Sequence, residues 1–379
     1  MSPRPLNSGF HAPAPGRRVW LDFFRGVAVV LMIETHVCNT FLGVALRSEP
    51  LFAGVNFWNG LVAPSFLFVA GYLQGLSMAR QQSQVTARKW LRLGGLLVLG
   101  YALHLPFQAW GAGHAELAWR VGTQIDILQC LGASLLCVLA IQRWAGRWAP
   151  VLLLLGFAGA LGVADSAQAW RGLPLPLLAF LNGSTGSLFP LFPWAAFVFA
   201  GALAGLWATR WGSVAGPVRQ SLLELALPVF VLGLKGWTAW PGVWSAVGAA
   251  FFFERLAWVL GLAWACKWLL GWAQPKWLLL AGRQSLLMYV THLLLISWIA
   301  HAGVAELGWW PTGFLYLGVL LTSLWLALKW ATWQDSRCQA HLPVPPPSTT
   351  ATSPAAPAAA RSAEPLSFNE ILRQIIEKP

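Results

Sequence analysis

The chain has 379 residues, 57% apolar and 10% charged, with 25 Trp beside 6 Lys. Several stretches exceed the ~18 apolar residues that read as a bilayer span, which excludes a soluble, fibrous or disordered protein over most of the length. The net charge of +12 does not point to nucleic acid, because the basic residues are scattered at span ends instead of forming a stripe or an aromatic-interleaved patch.

Residues 1–18 are rich in Pro, Arg and Ala and read as a disordered cytoplasmic segment. The apolar run after them carries Asp22, Arg25 and Glu34, which a cleavable signal-peptide core would not tolerate, so the first span is expected to be kept. Further spans are predicted at about 55–76, 90–108, 121–141, 150–163, 187–207, 222–240, 246–270, 277–300 and 313–333. The fold class is therefore all-α, a polytopic transmembrane helical bundle of about ten spans occupying residues 19–335.

Alternate loops differ sharply in Lys and Arg. One set carries fifteen, from Arg4, Arg17 and Arg18 through Arg80, Arg88, Lys89 and Arg92 to Lys329 and Arg337; the other carries Arg47, Arg120, Arg171 and Lys235. Cytoplasmic loops carry the excess, so both termini are predicted to be cytoplasmic.

Residues 336–365 are dominated by Pro, Ala, Ser and Thr and read as a disordered linker. Residues 366–379 then suggest a short amphipathic helix, with Phe368, Ile371, Leu372, Ile375 and Ile376 on one face and capping-box spacing from Ser367 to Glu370. Cys38, Cys130, Cys137, Cys266 and Cys338 have no ligand-like spacing, and neither a disulfide nor a metal framework is expected.

Ionisable residues inside spans are costly and mark candidate sites. In the first span Arg25 and His36 lie eleven positions apart, which places them within about 20° in azimuth and ~16 Å apart along the axis. Asp22 and Asn39 fall near the same stripe, whereas Glu34 points to the opposite side, toward a partner such as Arg255 or Lys235. With the N-terminus inside, Asp22 and Arg25 sit at the inner mouth, and His36 and Asn39 in the outer half. The predicted topology brings His104, Gln124, Asp126, Gln129, Glu254, Arg255 and His292 to the same outer level, with Tyr289 and Ser285 on the face of His292. Each alone is more simply a buried structural partner; together they suggest a cavity.

Leu21-Asp22-Phe23-Phe24-Arg25-Gly26-Val27-Ala28 followed by His36 resembles the first span of the polytopic membrane acyltransferases, which include the acyltransferase-3 and heparan-α-glucosaminide N-acetyltransferase families. Four further segments narrow the likeness to the glucosaminide group. They are Phe57-Trp58-Asn59-Gly60-Leu61 with the run from Ser65 to Gly71, Asp126 to Gly132, Phe189-Pro190-Leu191-Phe192-Pro193-Trp194 with Gly201, and Gly282-Arg283-Gln284-Ser285-Leu286 with Tyr289 and His292. The likeness runs over roughly residues 19–335.

The resemblance implies an acyl donor such as acetyl-CoA reached from the cytoplasm, and an amine or hydroxyl of a sugar or glycan acylated on the far side. Arg25, with Asp22, Arg283 and Ser285, would hold the donor, while His36, Asn39, His292 and Asp126 are the candidate catalytic residues. The sequence departs from the lysosomal pattern at two points. His36 stands where those members have Asn, and Val55 stands where they have a His three residues before Trp-Asn-Gly; the Arg25-to-His36 spacing is closer to the acyltransferase-3 proteins.

A neutral imidazole in a low-dielectric cavity suits a base acting on a hydroxyl or amine, and it could equally accept the acyl group itself. The main rival is a proton-coupled solute transporter, which would use the same His, Asp and Glu residues. Against it, the polar motifs do not recur between the two halves. The expected partners are the lipid bilayer, acyl-CoA and a sugar acceptor, with a homo-oligomer left open, and the expected location is the bacterial cytoplasmic (inner) membrane.

Overall fold

The computed structural model describes residues 18–80, 85–105, 111–167, 170–211, 226–234 and 248–340. Among the described residues the architecture is helical, with no strand. The elements in chain order are α1 (Val19–Phe41), α2 (Pro50–Asn59), α3 (Val62–Ala79), α4 (Ala87–Leu103), α5 (Ala115–Gly122), α6 (Ile127–Trp144), α7 (Ala149–Gly162), α8 (Leu175–Leu181), α9 (Leu191–Trp211), α10 (Ala249–Leu269), α11 (Lys276–Arg283), α12 (Ser285–His301) and α13 (Trp309–Ala340).

Among the described residues, five stretches are long and apolar enough to cross a membrane. They are Pro50–Ala79 (α2 with α3), α6, Leu191–Ala208 in α9, α10 and Trp309–Arg337 in α13; α11 and α12 add a sixth if the pair, bent by 87°, forms one span. The chain is an integral membrane protein. Helices α1, α4 and α7 lie where the first, third and fifth spans were expected, but α1 carries three charges, α4 opens with Arg88, Lys89 and Arg92, and α7 has 14 residues. The expected seventh span is described only at 226–234, which are helical. The N-terminal segment before Arg18, the linker from 341 onward and the tail helix lie outside the described residues.

Four expected boundaries change, two of them for visible local reasons. The second span is two helices broken at Gly60–Leu61, where Gly60 lies directly against the Arg255 guanidinium. The fourth starts at Ile127, not at 121, because Asp126 is a helix N-cap, with its side chain on the Ile127 amide and the Gln129 side chain returned to its own. The ninth breaks at Gln284. The last helix runs to Ala340, so residues 336–340 belong to it and not to the linker.

Lipid offers apolar surfaces no hydrophobic incentive to leave it, so membrane helices associate by close backbone approach and dispersion. Gly71 and Gly75 of α3 face Gly201 and Gly205 of α9, a reciprocal pair of Gly-x-x-x-Gly motifs. A Cβ on any of the four would collide with a backbone carbonyl of the other helix, that of Val198, Ala202, Phe68 or Tyr72. The same device joins α1 to α11, where a Cβ on Gly26 would strike the Leu278 carbonyl and one on Gly282 the Asp22 carbonyl.

Helix α1 lies between two apolar clusters. Its N-terminal turns contribute Leu21, Phe23 and Phe24 to one that includes Phe197 and Phe252. Its C-terminal turns contribute Val29, Met32, Ile33, Val37 and Phe41 to a second, with Met288 and Val319. The C-terminal end is fixed where Leu307 donates to the Phe41 carbonyl at 2.7 Å and Gly43 to that of Leu307 at 2.9 Å.

Gly71→Ala is expected to push α3 from α9 and cost on the order of 1–3 kcal/mol, read as a lower Tm in detergent. Gly159→Ala, whose methyl meets nothing within 4 Å, is expected to hold or raise Tm, since Ala is the better helix former by about 0.5–1 kcal/mol. Equal losses in both variants would contradict the close-approach account.

Candidate active site

The stripe on α1 has partners at both ends. At the N-terminal end an Arg25 Nη donates to the Ser285 hydroxyl, and Arg283 Nε lies 3.7 Å from Asp22 Oδ2. Asp22 and Ser285 are buried. Arg25 and Gly26 of α1 thus meet Gly282, Arg283 and Ser285 around the break between α11 and α12: the glycines bring the backbones together and the polar side chains close on either side. Arg283 Nε is itself buried without a hydrogen-bond partner. All four residues expected to serve the donor fall in this one contact.

Toward the C-terminal end the His36 and His292 rings lie 5.1 Å apart between centroids, inclined by 50°. His292 is fully buried. Its Nδ1 lies 2.7 Å from the Met288 carbonyl one turn back, so that nitrogen carries the proton and donates it. Nε2 is left as a lone-pair acceptor, buried and without a hydrogen-bond partner. Tyr289 stands edge-on to His292, with centroids 5.7 Å apart.

Asp126 gathers the neighbouring polar groups. One carboxylate oxygen accepts the Ile127 amide at 2.7 Å. The other accepts the Tyr289 hydroxyl at 3.1 Å and lies 3.2 Å from His104 Nε2. His104 Nδ1 is 3.0 Å from the Gly100 carbonyl. Both neighbours of that imidazole are acceptors, so with Asp126 ionised the ring uses a proton on each nitrogen. His36, His292 and Asp126 therefore share one array with Tyr289 and His104, drawn from α1, α12 and the facing ends of α4 and α6.

Asn39 is exposed near the C-terminal end of α1 and is not drawn into this array. Glu34 does face away, with Cys38 and Asn59 beside it. Arg255, one partner expected for Glu34, donates to the Phe57 carbonyl at 3.2 Å and stands over the Phe57 and Phe251 rings; Lys235, the other, lies outside the described residues. Gln124 reaches the Thr185 carbonyl at 3.4 Å. The sequence grouped His104 and Tyr289 with the other polar residues but gave neither a role. Their common partner is unreadable from spacing, since positions 104, 126 and 289 belong to separate helices. Asn59, buried beside Glu34, had no sequence signal beyond its Trp-Asn-Gly setting.

Among the described residues no group of three or more His, Cys, Asp and Glu side chains is arranged to hold a metal ion. The sequence model of a family described as heparan-alpha-glucosaminide N-acetyltransferase, catalytic, matches residues 17–234. That stretch includes Asp22, Arg25, His36, Asn39, His104 and Asp126; Arg283, Ser285, Tyr289 and His292 lie beyond it. Comparison with curated proteins returns no match.

Asp126→Ala removes a helix cap, at about 1 kcal/mol, and leaves the Tyr289 hydroxyl without its acceptor, at about 1–3 kcal/mol more. Asp126→Asn keeps one oxygen, enough for the cap or for the Tyr289 hydroxyl but not for both, and is expected to cost less. Thermal unfolding in detergent should rank wild type, Asn and Ala in falling order. A wild-type Tm for the Ala variant would remove Asp126 as the organiser of this end.

Proposed function

Because the chain belongs to the heparan-α-glucosaminide N-acetyltransferase catalytic family, we propose that it moves an acyl group, acetyl in the simplest case, from cytoplasmic acyl-CoA to an amine or hydroxyl of an extracytoplasmic sugar or glycan. The observation that carries the reading is the α1 stripe: a cationic cluster at one end of a single helix face and a pair of imidazoles at the other. About 16 Å of helix separates Arg25 from His36, which suits a donor whose anionic part and reacting thioester are far apart.

Arg25 and Arg283 bind the anionic part of the donor by charge-assisted hydrogen bonds. Asp22 orients Arg283, and Ser285 orients Arg25. At the outer end His36 takes the proton of the acceptor while the freed lone pair attacks the thioester carbonyl. The new C–N or C–O bond forms as the C–S bond breaks, and the CoA thiolate leaves. If the imidazole attacks first, the acyl group rests on His36 and the acceptor then displaces it; both routes need the same ring in the same place. Asn39, exposed near the outer end of the helix, meets the acceptor. Asp126 acts through Tyr289 and His104. The membrane concerned is taken to be the bacterial cytoplasmic membrane.

The Asp126, Tyr289 and His104 hydrogen bonds also favour one rival, a proton-coupled transporter that uses them as a relay. Transport needs a gradient and returns its solute unmodified, which separates the two.

His36→Ala is expected to slow transfer by at least ~10²-fold with donor KM little changed. Arg25→Ala is expected to weaken donor binding by about 1.5–3 kcal/mol, read chiefly as a higher KM for acetyl-CoA. Turnover is measured per folded molecule in detergent. Near-wild-type turnover of His36→Ala would eliminate the mechanism.

A further inference from the structure

His292 sits beside the transfer point but is closed to substrates. Its ring is fully buried, so no acceptor or thioester reaches it. Its Nδ1 proton is committed to the Met288 carbonyl, and its Nε2 lone pair has no hydrogen-bond partner. A buried polar atom left unpaired costs free energy, and its persistence needs a reason. Tyr289, the nearest hydroxyl-bearing ring, does not supply one, because its proton goes to Asp126. What faces His292 is the imidazole of His36, with centroids 5.1 Å apart. That separation lets a rotation of the less buried His36 ring bring two nitrogens within hydrogen-bond reach.

We infer that His292 is a positioning residue that works through His36, its Nε2 accepting the His36 N–H and so fixing the tautomer whose other nitrogen presents a lone pair to the substrates. The inference rests on the reading of His36 as the transfer point. It gives the two histidines different work. His36 touches the reacting atoms, and His292 sets which of its nitrogens is free, much as the hydrogen bond at one ring nitrogen decides the state of the other in any acting histidine.

The proton balance closes within the pair. As the acceptor N–H or O–H bond breaks, its proton goes to the free nitrogen of His36, and the resulting positive charge is shared with Nε2 of His292. The acyl carbon exchanges its C–S bond for a C–N or C–O bond. The proton then passes to the departing CoA thiolate, leaving both rings neutral and the thiol as product.

The test uses the full chain in detergent, with release of CoA thiol from acetyl-CoA as the readout and glucosamine as the acceptor probe. His292→Ala, His292→Gln, His36→Ala and the double Ala variant are compared per folded molecule. His292→Ala is expected to lose ~10²-fold in kcat, with KM for acetyl-CoA within about twofold of wild type. His292→Gln, whose amide oxygen can stand in for Nε2, is expected to recover at least tenfold of that loss. Because His292 works only through His36, the double variant is expected to be no slower than His36→Ala.

Wild-type turnover in His292→Ala with a slow His36→Ala would overturn the pairing and leave His36 in place. Loss in His292→Ala through a raised KM, or without recovery by Gln, would mark a merely structural residue and overturn the pairing. Additive losses in the double variant would make His292 an independent group, with the same consequence. Thiol release that is absent in wild type, or unaffected by His36→Ala, would bring down the parent reading itself.

Discussion

Everything at the candidate site depends on how closely α1 approaches α11. Gly26 and Gly282 let the two backbones meet where any side chain would strike a carbonyl oxygen. In lipid, such contacts stand in for the missing hydrophobic drive. Once they are made, Arg25 reaches the Ser285 hydroxyl and Asp22 lies beside Arg283. The sharp bend at Gln284 then sends α12 away from α11. Because α1 is an unbroken rod, and α12 starts one residue after the bend, fixing their N-terminal ends also places His36 against His292 further along both helices.

A second constraint is the cost of unpaired polar atoms away from water. Asp126 meets it fully: its two oxygens take a backbone amide, a tyrosine hydroxyl and an imidazole, and its own amide is capped by Gln129. One carboxylate thereby ends α4, starts α6 and holds α12. His292 Nε2 does not meet the constraint: like the Ser65 and Ser134 hydroxyls it is buried without a hydrogen-bond partner, and it alone of these faces His36.

Much of this was legible in the sequence, for identifiable reasons. A stripe on one helix is read from spacing alone, so Arg25 and His36 could be placed on a common face before any packing was known. The likeness of four of the five segments, those before residue 234, agrees with the family match over residues 17–234; the fifth, from Gly282 to His292, lies beyond it. What could not be read were breaks inside apolar runs. Val121 through Ile141 is uniformly hydrophobic enough to look like one span, and only the paired side chains of Asp126 and Gln129 show that the helix begins late. Gln284 has no Pro or other breaker to announce an 87° bend. Pairings between helices were equally hidden: Glu34 was matched by charge with Arg255, but that guanidinium is held by the Phe57 carbonyl and two aromatic rings. The glycines of α3 and α9 were visible as residues, yet their register appears only when the helices face each other.

The central claim is that this bundle changes its substrate chemically and does not simply carry it. The direct measurement is to reconstitute the purified protein in lipid vesicles without any ion gradient, supply acetyl-CoA labelled in the acetyl group and an amino sugar, and determine where the label resides. The account predicts label covalently attached to the sugar, with one CoA thiol released for each acetyl transferred. Sugar that crosses the vesicle membrane unmodified, and only when a proton gradient is imposed, would contradict it.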